Sequence, residues 1–135
     1  MSDIQILGHC NSTLAILLDT LAVAGNTNAR IDVVSNVPVS DDTPWRPQQS
    51  CGFSIREIQI DEWDGKFQKL IMGVYKPRTK RLVLNAFNQS HGIQASDYFS
   101  LCHPASVVSP QSTLGPGVFL APGTIVAPFA SIGNL

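Results

Sequence analysis

Proline occupies positions 104, 110, 116, 122 and 128 of this 135-residue chain, one in every six residues. The stretch 103–133 reads HPASVVSPQSTLGPGVFLAPGTIVAPFASIG. No α-helix survives that spacing, because each proline removes a backbone bond and clashes with the preceding turn. A sheet interior is excluded too, unless each proline falls where no N–H is needed. The prolines therefore belong at corners, with very short strands between them.

The other positions keep the same beat. With proline in third place, first place holds Cys102, Val108, Leu114, Leu120, Val126 and Ile132. Second place is mostly small, and fifth place is small or β-branched (Ser106, Ser112, Val118, Thr124, Ala130). Gly117 and Gly123 follow prolines directly, and Pro-Gly is a type II turn signal. Such a period marks a repeat architecture. Each hexad predicts one side of a triangular prism, with its first residue inward and its proline at the corner. Three hexads close a turn of roughly eighteen residues, a hexapeptide β-helix. Stacking then sets Val108 under Val126, Leu114 under Ile132 and Cys102 under Leu120.

The first hundred residues read differently. DIQIL suits a buried strand, and LAILLDTLAVAG a helix capped by Asn11 or Ser12 and ended by Gly25. ARIDVV (29–34) reads as a second strand, and the proline-bearing stretch 35–52 as loop or edge. FSIREIQI (53–60) has apolar residues at 53, 55, 58 and 60, which fit neither period, and is assigned as strand. KLIMGV (69–74) is a further strand. Pro77 opens a helix to about Gln89, with Leu82, Val83, Ala86 and Phe87 inward and Gly92 after it. This order predicts a small α/β unit with a mostly parallel sheet over residues 1–100, then the β-helix over 101–135.

In such sheets ligands bind beyond the carboxyl ends of the strands, beside helix N-termini. Two places qualify. At Gly8-His9-Cys10-Asn11-Ser12 a glycine permits close backbone approach and a helix start offers free N–H groups to an anion. The alternative there is an ordinary tight turn with an N-cap. At Gly73-Val74-Tyr75-Lys76-Pro77-Arg78, four cations (Lys76, Arg78, Lys80, Arg81) crowd a helix start, where the dipole is already positive. A phosphate at Gly73–Lys76 would offset them, and a solvated basic face is the alternative. The candidate ligand contacts are thus Gly8, His9, Asn11 and Ser12 in the first place, and Gly73, Val74, Lys76 and Arg78 in the second.

Charge and cysteines set bounds. A net charge of −1 offers no general attraction to nucleic acid or membrane surfaces. No apolar run approaches a membrane span, and no signal peptide opens the chain. Cys10, Cys51 and Cys102 are odd in number and far apart, which fits reduced thiols in a cytoplasmic protein. No two histidines have zinc-site spacing, so no metal is expected.

Three segments together carry a family resemblance: ILGHCNS (6–12), IMGVYKPRTKRLV (71–83) and SLCHPASVVSPQSTLGPGVFLAPGTIVAPFASIG (100–133). The chain resembles the hexapeptide-repeat sugar acyltransferases, related to sialic-acid O-acetyltransferases and to N-acetyltransferases of UDP- or GDP-linked amino sugars. The resemblance implies a small Rossmann-like N-terminal domain followed by a left-handed parallel β-helix. It implies a nucleotide sugar held by Gly8-His9 and Gly73-Val74, acetyl-CoA as co-substrate between subunits, and a homotrimer. A β-helix histidine would act as general base, oriented by a carboxylate.

Two departures stand out. The family's Asp-Asp pair after the second strand has no counterpart, the chain reading Val34-Ser35-Asn36 with Asp32 earlier. The catalytic histidine is expected one turn beyond ASIG, hence beyond Leu135. His103 reads as a junction residue, His91 as a helix cap and His9 as a turn or ligand contact. Residues 102–135 make under two turns, so the top rung is expected to expose strand edges and Ile132, and the expectation is either a longer protein or an open end covered by oligomer contacts. A non-catalytic nucleotide-sugar-binding or assembly module, or a site for another phosphorylated metabolite, are the rival readings.

Overall fold

The computed structural model describes residues 2–8, 10–26, 28–37 and 52–133. The order is β1 (Ile4–Leu7), α1 (Asn11–Val23), β2 (Arg30–Ser35), β3 (Ser54–Gln59), β4 (Lys69–Met72) and α2 (Pro77–His91). A 3₁₀ turn over Ala95–Asp97 leads into six two-residue strands. These are β5 (Leu101–Cys102), β6 (Val107–Val108), β7 (Thr113–Leu114), β8 (Phe119–Leu120), β9 (Ile125–Val126) and β10 (Ser131–Ile132).

The four long strands form one parallel sheet in the order β3-β2-β1-β4. Alternation along each strand feeds two cores. Ile4, Ile6, Ile31, Val33 and Ile71 pack with Leu14, Leu17, Leu18 and Leu21 of α1. Leu7, Val34, Leu70 and Met72 pack with Val83 and Phe87 of α2 on the other face. Both faces are covered, as a parallel sheet requires. In α2 it is Leu84, not Leu82, that joins Val83 and Phe87 against the sheet, and Leu82 stands 60% exposed. Fixing the helix phase needs the docking angle, which the pattern alone does not give.

Helix ends follow local chemistry. Cys10, rather than Asn11 or Ser12, takes the N-cap position of α1, with extended φ and ψ. Gly25 does end α1, at φ +90°. Its N–H and that of Asn26 donate to Ala22 and Leu21 carbonyls at 3.1 and 3.0 Å, a Schellman closure. α2 runs to His91, two residues beyond Gln89, and Gly92 ends it in the left-handed region. The strand over 69–74 stops at Met72, where the backbone turns. In β3 the apolar residues change faces midway: Phe53 and Ile55 join the α1 core, Ile58 and Ile60 the α2 core. That is why neither period fitted. Of the stretch 35–52, Ser35 closes β2, and positions 38–51, Cys51 included, lie outside the described residues.

Beyond Leu101 the chain winds as a three-sided coil. β5 pairs with β8, β6 with β9 and β7 with β10, all parallel and each offset by eighteen residues in register. The expected stacks occur: Cys102 with Leu120, Val108 with Val126, and Leu114 with Ile132. Every proline of the beat sits in a turn. Leu120 and Val126 are buried, with Cys102, Val108 and Leu114 packed against them. Val118, from fifth place, is buried as well. Ile132, in first place of the top rung, is 37% exposed, as expected for that rung.

The coil is fastened to the sheet edge. Phe99 N–H donates to the Leu70 carbonyl of β4 at 2.7 Å, and the chain runs from there into β5. Gly117 N–H donates to the Tyr98 carbonyl at 3.0 Å, and Ser100 Oγ to the Gly115 carbonyl at 2.8 Å. Outward residues Leu101 and Phe119 pack onto the α1-side core. One wall of the coil is therefore covered by the α/β unit.

The residue after each upper proline has positive φ: Gly117 +71°, Gly123 +81° and Phe129 +63°. A Cβ on Gly123 would meet open space, so only backbone strain penalises a side chain there. Gly123→Ala should cost about 1 kcal/mol, and Phe129→Gly should leave the chain equally stable or up to about 1 kcal/mol more stable. Urea-unfolding midpoints of the two variants, moving in opposite directions or with only the first moving, check this.

Candidate functional site

β1 and β4 are neighbours, yet β1 leads by way of α1 to β2 on its other side. The strand order reverses between them, and there the two turns predicted separately come together. Gly8 N–H donates to Val34 O at 2.8 Å, and Gly73 N–H to Leu7 O at 2.9 Å. The glycine backbones touch: a Cβ on Gly73 would overlap the Gly8 carbonyl oxygen. Gly8 has φ +67°, and a Cβ on it would meet Val83 Cγ2 at 2.8 Å. Neither position admits another residue without a shift. The two glycines thus build one surface of bare backbone.

Two helices start beside it. α1 begins at Asn11 after Cys10, and α2 at Pro77 after Lys76. Neither has an acidic residue in its first turn. Unpaired N–H groups of both helix starts attract anions. Lys76 and Arg78 are exposed, as is Ser12. Val74 is buried in the α2-side core, so only its backbone is available at the site. His9 lies outside the described residues, and Asn11 is placed here by its backbone.

Cys10 emerges as a member of this group, with Thr13 behind it. Its sulfur lies 2.8 Å from Thr13 Oγ1 and 3.6 Å from Ser12 Oγ. Burial pushes the thiol up. Hydrogen bonds from the Thr13 hydroxyl and amide and from Ser12, with the charge of Lys76, outweigh it and leave the thiol below its ordinary range. That coupling brings Lys76, from the second turn, within electrostatic reach of the first. A β-strand, a turn and a cysteine at a helix start were the signal for it in GHCNST.

The other histidines are engaged structurally. His91 sits 2.8 Å from the Trp63 carbonyl through Nε2 and 2.7 Å from Ser90 Oγ through Nδ1. His103 Nδ1 accepts the Ala105 N–H at 2.9 Å, at the first corner of the coil. At the opposite, amino-terminal side of the sheet, a cleft of about 270 Å³ is lined by Ser2, Arg30, Asp32, Ser54 and Arg56. The buried Asp32 carboxylate is satisfied there, by Arg56 Nε and Nη2 at 3.1 and 3.0 Å and Ser2 Oγ at 2.8 Å. Asp32 is therefore a satisfied core carboxylate, paired in register with Gln5 rather than with the glycine turn.

Among solved structures, PerB from Caulobacter crescentus, crystallised in complex with CoA and GDP-perosamine, is similar to the whole of this chain at a TM-score of 0.64 and 18% sequence identity. At that identity the likeness speaks to the fold. The chain spans 58% of the length of PerB. No family model and no curated protein matches the sequence.

Cys10 should be alkylated by iodoacetamide with a pH midpoint below that of an ordinary thiol. Cys102, pushed up by burial, should react later. Thr13→Val and Lys76→Gln should each raise the Cys10 midpoint, as read by peptide mass spectrometry across pH.

Proposed function

We propose that the chain is the nucleotide-sugar-binding part, with the first turns of the β-helix, of an acetyl-CoA-dependent sugar acetyltransferase. The observation that carries this is the contact of Gly8 with Gly73 at the strand-order reversal, flanked by two helix starts. Phosphates of a nucleotide sugar would lie on that bare backbone, where N–H groups and helix dipoles favour negative charge. Lys76 and Arg78 would neutralise the rest. Each cation at a helix start is unfavourable by about 0.3–1 kcal/mol, and a bound diphosphate removes that cost. The sheet order, with helices on both faces, supports a Rossmann-like reading of the N-terminal unit. The hexad coil supports the left-handed β-helix. That PerB holds CoA and GDP-perosamine supports the choice of substrates.

In this reading acetyl-CoA is the co-substrate, whose thioester is attacked directly by a sugar amine or hydroxyl. The general base would come from a further part of the β-helix, because His91 and His103 are committed to Trp63 and Ala105 and, among the described residues, no carboxylate is bonded to either. The reaction would take place in the cytoplasm, where Cys10 and Cys102 stay reduced. The same engagement of both histidines favours a second reading, a binding or assembly module that holds the nucleotide sugar without transferring to it.

Assembly as a homotrimer through the coil is part of the proposal. Val107 and Ile125 face each other on one ladder and are 63% and 75% exposed, an apolar wall that the α/β unit leaves uncovered.

Calorimetry with GDP, UDP and CoA tests the reading. Nucleotide should bind, and Lys76→Glu with Arg78→Glu should weaken it at least tenfold. Nucleotide without CoA would favour the module, and failure of both nucleotides to bind would sink both readings. In analytical ultracentrifugation the wild-type chain should sediment as a trimer, and Ile125→Asp with Val107→Asp should release monomer.

A further inference from the structure

One ring pair among the described residues joins the turn after β4 to the upper rung of the coil. Tyr75 stacks on Phe119, with centroids 5.3 Å apart and planes inclined by 23°. Tyr75 lies two residues after Gly73 and directly before Lys76, the N-cap residue of α2. Phe119 is not a loop tip: it sits in β8, paired with Leu101 and packed on the α1-side core. The crevice around the pair, lined also by Met72, Val74, Lys80 and Val118, has a volume of about 10 Å³. That is room for about one water and for no ligand. The stack is therefore a joint rather than a pocket. Tyr75 is also within electrostatic reach of Cys10: burial, and then the charge of that thiol, suppress the ionisation of its hydroxyl.

We propose that Tyr75 is a positioning residue, which through its stack on Phe119 holds the Gly73–Lys76 turn, and with it the Lys76 charge, in a fixed place relative to Gly8, Cys10 and the coil. The geometry makes the coil a structural support of the glycine site, although the coil contributes no group to it. The proposal deepens the nucleotide reading by naming what sets the site's cation. The joint itself can be tested without any nucleotide.

The test uses the complete chain and the pH profile of Cys10 alkylation. Among the described residues Lys76 is the charged group acting on Cys10 across the two turns, with Ser12 and Thr13 on the helix that Cys10 caps and Tyr75 as a further ionisable neighbour. Phe119→Ala removes the ring on which Tyr75 rests and should raise the Cys10 midpoint towards that of the Lys76→Gln variant. Phe119→Tyr and Tyr75→Phe keep the stack and should retain the wild-type midpoint. A Phe119→Leu variant, which keeps an apolar side chain without a ring, guards against misfolding and should also raise the midpoint. If Phe119→Ala and Phe119→Leu fold, by circular dichroism, and leave the midpoint unchanged, the proposal is overturned. In parallel calorimetry, Phe119→Leu should weaken nucleotide binding by roughly 3- to 10-fold, the scale of one aromatic pair. A chain that binds no nucleotide yet shows the midpoint shift would overturn the nucleotide reading and leave the joint standing.

Discussion

Two strands lying side by side in a parallel sheet both turn at a glycine, and the turns touch backbone to backbone. Much of the α/β unit is arranged around that meeting. It requires β1 and β4 to be neighbours, and so requires α1 and α2 to lie on opposite faces. It brings both helix starts to one edge. It also explains why a buried valine follows the second glycine: Val74 anchors the turn in the α2-side core while its backbone faces out. A side chain on Gly73 would force Gly8 away and separate the two helix starts.

The coil obeys a different constraint, and its solution is local. Each corner places a residue with no N–H to satisfy, and the upper corners follow it with one at positive φ. Pro116-Gly117 and Pro122-Gly123 supply both. Between corners, two residues per side suffice for a ladder, because each is matched eighteen positions on. Phe129 is the exception, an aromatic residue held at φ +63° where the two preceding corners have glycine. It is 85% exposed, so no packing within the chain repays that conformation.

These constraints decide what could be read before the fold was known. The coil's stacking partners were legible to the residue, since the beat of prolines and apolar side chains encodes both corner and interior. The exposure of Ile132 was legible too, because burial depends on what lies above a residue as well as on its place in the hexad. The strands and helices of the α/β unit were legible in kind, as their apolar runs and glycine stops are local signals. The phase of α2 was not, and Leu82 and Leu84 exchanged roles. Both halves of the candidate site were visible as separate turns. Their union was not, because it follows from strand order. Cys10 and Tyr75 lay inside the two turns without a role of their own, and Thr13 and Phe119 entered only with the coordinates, for their importance lies in what they touch.

The covering of the β4 edge by Tyr98 and Phe99 reaches further than the attachment of the coil. A bare edge of a parallel sheet is a template for another chain, and the commonest route from a folded domain to an insoluble one. Here one border is bridged at Leu70 by the protein's own backbone. The opposite border, β3, is marked by the exposed charges of Arg56 and Glu57, which resist pairing with a stranger's strand. The same junction that mounts the coil thus also guards the sheet against aggregation.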